Sequence, residues 1–279
     1  YSFESPKVFD KLLIPEDSEL RKTVVISNPL GEDFSIMRTI SLNGMLTSLS
    51  TNFNRRNKNV RLYELGNIYL PKQIPVTELP EERMQFTLGM YGEGDFYTMK
   101  GVVEEFFDKA GLHGKESYDP QAGKPFLHPG RQANVIYEGK IVGYLGEIHP
   151  QVADNYEIKD RVYVAVIDMP EITALASFDR KYQGIAKFPA VNRDISMVMP
   201  KHILVGEVEK IFDAKGGQYL EGYELFDLYE GAQIKSGYKS VAYSLTFRAQ
   251  DKTLEEADYT PAMNKILKAL EELGIELRK

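Results

Sequence analysis

The C-terminal third of the sequence repeats one order of secondary-structure patterns, and that order allows few folds. A strand, a helix and a second strand are followed by another strand, another helix and a short final strand. This is the order of the split βαβ, or ferredoxin-like, fold (βαββαβ). The patterns cover strand 194–199, helix 205–214, strand 219–229, strand 239–249, helix 254–273 and strand 275–277.

Such a fold covers one sheet face with helices and leaves the other face open, so strand alternation sorts the side chains. The side chains predicted for the core are Ile195, Met197 and Met199, then Phe226 and Leu228, then Val241, Tyr243, Leu245 and Phe247. The candidate site residues on the open face are Asp227, Tyr229, Ser240, Thr246 and Arg248. Asp251 or Thr253 is expected to cap the second helix, and Gly274 to end it.

An open sheet face with an aromatic ring, a cation, a carboxylate and hydroxyls is suited to unpaired RNA bases. Tyr229 is expected to stack on a base and Arg248 to hold a phosphate or a base edge. Asp227 and Ser240 have the donors and acceptors to read guanine. The formal net charge of −7 argues against a protein that binds nucleic acid through a basic coat, so RNA contact must be local. The alternative is an ordinary solvated sheet face.

The preceding residues mix helices with antiparallel hairpins, which favours an α+β module. Apolar residues at 41–56 recur at helical spacing, and they are Leu42, Met45, Leu46, Leu49 and Phe53. A second helix is predicted at 98–110, ended by Gly111. Strands are predicted at 61–70, 84–91, 134–137, 141–145 and 162–168. The apolar periodicity lapses around 179–187, so we expect two domains, 1–186 and 187–279.

The composition of this chain of 279 residues bears on its redox compartment and on membrane association. The sequence has no cysteine, which is compatible with a reducing cytoplasm. We find neither the apolar run of a membrane span nor the order of a signal peptide, so no membrane association is expected. The sequence begins at Tyr1 inside a strand-like segment, and we expect it to be a fragment.

Several segments resemble one family. The segments 188–195 (FPAVNRDI), 226–231 (FDLYEG), 239–248 (KSVAYSLTFR) and 251–254 (DKTL) resemble the ferredoxin-fold anticodon-binding domain of phenylalanyl-tRNA synthetases. The segments 28–39 (NPLGEDFSIMRT), 62–66 (LYELG), 127–131 (LHPGR) and 143–150 (GYLGEIHP) resemble the class II synthetase-like module of the bacterial-type β subunit. The resemblance implies a mixed, mainly antiparallel sheet module followed by the ferredoxin-like domain.

The resemblance also implies the C-terminal part of a β subunit within an α2β2 phenylalanine–tRNA ligase. The α subunit would bind ATP, Mg2+ and phenylalanine, while this chain would contribute assembly and recognition of the tRNA(Phe) anticodon. The helix at 41–56 would occupy the motif 1 position. Its predicted interface residues toward the α subunit are Leu42, Met45, Leu49 and Phe53.

Class II catalysis needs arginines around the ATP phosphates. The segment after His149-Pro150 carries Gln151, Val152, Ala153 and Asp154 where that family needs an arginine. We therefore expect this chain alone to be inactive, with no catalytic residue. Two alternatives stay open. One is a free-standing RNA-binding or regulatory paralogue; the other is a single-chain mitochondrial-type synthetase, which the missing arginine disfavours.

Other candidate residues are assigned structural roles. His128 and His149 lack the spacing of metal ligands and are expected to bond to backbone in turns, so no metal site is predicted. Arg61 and Glu64 are each expected to take part in a structural ion pair.

Overall fold

The computed structural model describes residues 1–112, 114, 116–179, 182 and 184–278. The chain divides into two compact units, Tyr1–Arg180 and Lys181–Lys279. This division lies slightly before the boundary predicted at 186–187. Phe188 is tied to the second unit, where its carbonyl accepts a hydrogen bond from Arg248 Nη1 at 3.3 Å.

The first unit is built on antiparallel strands. They are β1 (Phe3–Glu4), β2 (Ile36–Met37), β3 (Val60–Leu70), β4 (Glu81–Tyr91), β5 (Glu116–Asp119), β6 (Leu127–Tyr137), β7 (Lys140–Ile148) and β8 (Val162–Asp168). The main sheet has the order β3-β4-β8-β7-β6-β5, and β1 pairs separately with β2. The predicted α+β class is therefore confirmed, and β6 and β7 are longer than their sequence patterns suggested.

Helices pack on both faces of this main sheet. They are α1 (Val8–Lys11), α2 (Leu42–Asn54), α3 (Phe96–Lys109), α4 (Pro150–Asn155) and α5 (Met169–Leu175). Helix α3 begins in a capping box, in which Thr98 N donates to Asp95 Oδ1 at 2.9 Å and Asp95 N donates to Thr98 Oγ1 at 3.2 Å. It ends before Gly111, which has a φ of 77° and lies so close to the Ser177 carbonyl that a Cβ would overlap it. Only glycine fits there.

The second unit has the predicted order of elements. They are β9 (Val191–Pro200), α6 (Val205–Lys215), β10 (Leu220–Tyr229), β11 (Tyr238–Phe247), α7 (Glu256–Glu272) and β12 (Glu276–Leu277). The sheet order is β10-β11-β9-β12, and each neighbouring pair is antiparallel. This is the ferredoxin-like arrangement, in which the first and third strands lie in the centre.

The start of α7 differs from the prediction. Its flanking residue is Glu255, whose N–H donates to Asp258 Oδ2 at 2.9 Å, so neither Asp251 nor Thr253 caps the helix. A carboxylate in the first turn satisfies a backbone donor that has no partner within the helix. Gly274 follows the helix with a φ of 74°, as predicted.

None of the helices in the described part of the chain has the length and apolar character needed to cross a membrane.

Candidate nucleic-acid interface

Helices α6 and α7 cover one face of the second unit's sheet. The side chains of β9 and β11 that were predicted to be core are all buried, and they are Ile195, Met197, Met199, Val241, Tyr243, Leu245 and Phe247. The opposite face, called the open face below, carries Asp194, Ser196 and Val198 of β9, Ser240, Ala242, Ser244 and Thr246 of β11, and Glu224, Asp227 and Tyr229 of β10. Residues paired across an antiparallel ladder share a face, so the register assigns each of these side chains.

A bulge in β10 changes which residues of that strand are buried. Leu225 pairs with Tyr243, but the next paired residue is Asp227, opposite Ala242. The extra residue, Phe226, is 55% exposed, and Leu228 is exposed beyond it. The prediction that Phe226 points inward is therefore wrong, because the bulge breaks the period of two. Leu228 lies opposite the buried Val241, on the helix side as predicted, but it is 47% exposed because β10 is an edge strand. Asp227 and Tyr229 lie on the open face, as predicted.

Tyr229 and its neighbours form one end of the open face. Tyr229 lies opposite Ser240 in the ladder and is 38% exposed, while Asp227 is exposed two positions earlier. The chain turns closely over the ring, because a Cβ at Gly231 would overlap the Tyr229 hydroxyl. This close approach limits the positions open to the ring, which favours a preorganised stacking surface. Ser240 itself is only 4% exposed, in contrast to its predicted exposure.

Thr246 and Arg248 lie at the other end of the same face. Ser240 and Thr246 are six positions apart on β11, which at about 3.4 Å per residue separates them by roughly 20 Å. Arg248 Nε donates to Glu221 Oε2 at 2.9 Å in a salt bridge. The predicted set therefore forms two separate groups, and its arginine is already paired.

The end of the open face near Tyr229 has buried and paired cations beside it. Burial lowers the pKa of Lys239, whose Nζ donates to the Lys201 carbonyl at 3.4 Å. Lys201 in turn forms a salt bridge with Glu230 at 2.5 Å. Sequence reasoning missed one further cation, Arg278, whose Nη1 donates to Ser240 Oγ at 3.5 Å. The short strand β12 gave no alternation from which its face could be predicted.

The predicted assembly residues of α2 face their own unit. Leu42 and Leu49 are fully buried and Met45 nearly so, packed where Gly89 of β4 lets the helix approach. Phe53 is half-buried, and its ring meets Tyr91 edge-on at 5.6 Å. The apolar stripe was real, but its partner is the chain's own sheet. Leu42, Met45 and Leu49 are therefore unavailable to another subunit while the unit is folded.

An exposed apolar surface lies instead on the other side of the first sheet. Tyr63 and Leu65 of β3 are 73% and 55% exposed. They share that face with Met84 of β4, and these three side chains are called the β3 patch below. The Tyr63 ring lies 6.0 Å from Phe86, which in turn lies 4.8 Å from Phe106 of α3. Exposed apolar surface of this kind marks interaction sites.

The histidines and the two ion-pair candidates, Arg61 and Glu64, have structural roles. Gly130 N donates to His128 Nδ1 and Gln151 N to His149 Nδ1, each at 3.1 Å, which confirms the predicted turn role. Among the described residues, no group of three His, Cys, Asp or Glu side chains could hold a metal ion. Glu64 forms an ion pair with Arg38 at 2.7 Å, as predicted, whereas Arg61 Nη2 donates to the Glu93 carbonyl at 3.4 Å.

Comparison with known proteins assigns both units to families. Residues 1–169 match the family described as phenylalanyl tRNA synthetase beta chain CLM domain, and residues 186–278 match the ferredoxin-fold anticodon binding domain. The chain is 47% identical over 279 residues to the phenylalanine–tRNA ligase beta subunit of Clostridium acetobutylicum. It is 45% identical to that of Clostridium tetani. All of this chain aligns in both cases, but it spans only 35% of each relative.

A solved structure with a related fold is the pyrrolysyl-tRNA synthetase from Desulfitobacterium hafniense. The TM-score is 0.50 at 14% identity, over 63% of this chain and 61% of that chain. At this identity the likeness concerns the fold alone.

Proposed function

Because the chain belongs to the phenylalanyl-tRNA synthetase beta-chain family, we propose that it is part of a phenylalanine–tRNA ligase and supports the ATP-dependent charging of tRNA(Phe). It does so by recognising the anticodon region and by holding the α subunit. The observation that carries the proposal is the open face, where an exposed Tyr229 lies opposite Ser240 and two positions after Asp227. The cytoplasm, where tRNA is charged, is the proposed location.

Tyr229 supplies the stacking surface for an unpaired anticodon base. Base–aromatic stacking contributes about 1–3 kcal/mol per base and needs no particular sequence. Asp227 adds selectivity, because a carboxylate accepts hydrogen bonds from the donor edge of guanine. Ser240 forms the floor beside the ring, where a larger side chain would fill the space that a base needs. Thr246 and Arg248 contact RNA farther along the sheet, and the Arg248 contribution is weakened by its pairing with Glu221.

The β3 patch is the proposed contact with the α subunit. Its exposed aromatic and aliphatic side chains resemble the apolar centre of a stable interface, and Phe86 and Phe106 support it from below. This assignment replaces the stripe of α2, which is buried in its own unit. Two copies of each subunit, α2β2, are the proposed assembly.

We assign ATP, Mg2+ and phenylalanine to the α subunit. The first unit is proposed to have a class II synthetase-like fold, supported by its likeness to a pyrrolysyl-tRNA synthetase. The arginine of β4 is already paired with acidic side chains. Arg83 has three carboxylates within 4.0 Å, those of Glu81, Asp168 and Glu171. Helix α4 carries no arginine or lysine. No step of the reaction is therefore assigned to this chain, which alone is expected to be inactive.

The test is phenylalanine-dependent ATP–pyrophosphate exchange, measured with this chain alone, with an α subunit alone and with both. We expect no exchange from this chain alone and a stable complex that exchanges when both are present. Exchange by this chain alone would contradict the assignment of ATP to the partner. Failure to associate with any α subunit would remove the assembly role.

A further inference from the structure

The first unit contains a cavity that the proposed function does not use. Its floor is the face of the main sheet on which α2 packs, just beyond the start of that helix, where Ser41 Oγ donates to Gln85 Oε1 at 2.8 Å. The segment after α1 and the loop before β6 form its sides. Its volume is about 500 Å³, and small-molecule sites commonly have about 300–1,000 Å³. The cavity can therefore hold a ligand of ordinary size.

Most of the residues that line the cavity are apolar. Ile68 and Leu70 come from β3, Tyr144 from β7 and Phe126 from the loop before β6. The Phe126 and Tyr144 rings lie 5.4 Å apart at an angle of 53°. Walls of this kind favour a ligand with an apolar body, and a flat ring packs well against aromatic side chains.

The polar side chains on the floor already bind one another. Gln85 Nε2 donates to Asp168 Oδ1 at 3.1 Å, and Arg83 Nη2 lies 3.4 Å from Asp168 Oδ2. Both oxygens of Asp168 thus have a partner, so a ligand ammonium would have to compete for that carboxylate. Glu81 and Glu171 also lie within 4.0 Å of Arg83. This acidic group would repel a ligand rich in phosphate.

Lys124 supplies a positive charge at the cavity that has no acidic partner. Its side chain is half-buried, and its Nζ lies 5.3 Å from the centre of the Tyr144 ring. Within the described part of the chain, no carboxylate oxygen lies within 4.0 Å of this Nζ. The Lys124 backbone is fixed, because its N–H donates to Gln132 Oε1 at 2.9 Å and its carbonyl accepts from Leu127 N at 3.1 Å. The ammonium is therefore held at the cavity with N–H donors for an anion.

We propose that this cavity binds a small molecule with an apolar, preferably aromatic, body and a single carboxylate, which accepts a hydrogen bond from Lys124 Nζ. The site involves neither RNA nor the α subunit, so it goes beyond the proposed function and can be tested without either partner.

The experiment measures the Kd of the full chain by equilibrium dialysis with three probes that share one apolar body. Naphthylpropionate carries the single carboxylate, its amide is neutral, and naphthylalanine has an ammonium in addition to the carboxylate. Lys124→Met removes the charge and keeps a long apolar side chain. Lys58→Met is the control, because Lys58 is exposed and does not line the cavity.

We expect the unchanged chain to bind naphthylpropionate roughly 10-fold more tightly than its amide, the usual size of a hydrogen bond to a charged group. Lys124→Met should bind these two probes equally, whereas Lys58→Met should keep the preference. Naphthylalanine should bind more weakly than naphthylpropionate, because its ammonium must compete with Gln85 and Arg83 for Asp168.

Four results would overturn the proposal. They are the absence of saturable naphthylpropionate binding, equal affinity of the unchanged chain for the acid and its amide, a preference that survives in Lys124→Met, and naphthylalanine binding that matches or exceeds that of naphthylpropionate. The last result would mean that the cavity takes a zwitterion instead of a simple carboxylate.

Leu70→Trp tests the location of the site. Leu70 is half-buried at the end of β3, and an indole there would extend into the cavity. The variant should bind neither naphthylpropionate nor its amide, while its circular dichroism matches that of the unchanged chain. A folded variant that binds both as before would place the probes elsewhere and overturn the proposal. If the variant does not fold, the comparison of Lys124→Met with Lys58→Met decides.

Discussion

Asn43 Nδ2 donates to Glu4 Oε2 at 3.0 Å, joining the first strand of the chain to helix α2. The other carboxyl oxygen of Glu4, Oε1, is buried and has no hydrogen-bond partner among the described residues. Burial raises the pKa of Glu4 from 4.5 to about 7, although the Asn43 bond and the charge of Arg38 oppose the shift. The folded chain therefore favours the protonated acid at this position.

Glu4→Gln should make the stability of the first unit less dependent on pH. Because its pKa is raised, the contribution of Glu4 to the free energy of unfolding is fully present below pH 4.5. This contribution is lost as the pH rises through about 7. The shift corresponds to roughly 3 kcal/mol. Glutamine cannot ionise, so the variant should be more stable than the unchanged chain at pH 8, with little or no gain at pH 5. Urea unfolding of the first unit at the two pH values measures this difference.

Glu16→Gln provides the control for that experiment, because Glu16 is exposed and its variant should follow the unchanged chain at both pH values. If Glu4→Gln changes the free energy of unfolding equally at pH 5 and pH 8, the ionisation of Glu4 does not control the pH dependence of stability.

Gly89→Ala should destabilise the first unit by about 1–3 kcal/mol, the usual cost of overpacking. An added Cβ would lie 2.6 Å from Met45 Cγ and 2.9 Å from Leu49 Cδ1. Gly101→Ala is the matched control, since Gly101 lies in α3 with open space around it. Alanine there should stabilise the helix by roughly 0.5–1 kcal/mol. Equal effects in urea unfolding would mean that α2 does not pack on β4 as described.

Tyr229→Ala should weaken binding of a short RNA stem-loop by about 1–3 kcal/mol, because the stacking surface is lost. Tyr229→Phe should retain most of the affinity, since the ring remains. Tyr97→Ala, which removes an exposed tyrosine of the first unit, is the control and should bind normally. Fluorescence anisotropy at constant salt measures all three. If the phenylalanine and alanine variants lose the same affinity, the hydroxyl and not the stacking is responsible.

The elements of the second unit could be predicted because each has a long, regular pattern. The core of β9 and β11 followed from alternation alone, since both strands are central and have one face under helices. The same rule failed at Phe226, because a bulge inserts one residue and the sequence carries no sign of it. Arg278 escaped prediction for a related reason, as a two-residue strand is too short to show alternation.

The periodicity of α2 predicted an apolar face but could not show what packs against that face. The spacing of Leu42, Met45 and Leu49 correctly predicted an amphipathic helix, but an apolar stripe does not reveal which surface covers it. The chain's own sheet does so at Gly89, whose missing side chain allows close packing. Tyr63 and Leu65 read as an ordinary strand, and only the sheet order identified β3 as an edge strand with an exposed apolar face.

A charged substitution in the β3 patch and another in the apolar stripe of α2 should have different effects. Leu65→Glu places a carboxylate on the exposed β3 patch, so the first unit should stay folded while association with the α subunit is lost. Leu49→Glu buries a carboxylate in the core and should unfold the first unit itself.

Thr47→Glu, on the exposed side of α2, is the control for both variants and should affect neither property. Co-elution with the α subunit and circular dichroism of the isolated chain measure the two effects. If the complex survives Leu65→Glu, the β3 patch does not form the interface. If instead the complex is lost in Thr47→Glu, the polar side of α2 forms the contact with the α subunit. Thr47 lies outside the core, so its substitution does not act by unfolding the first unit.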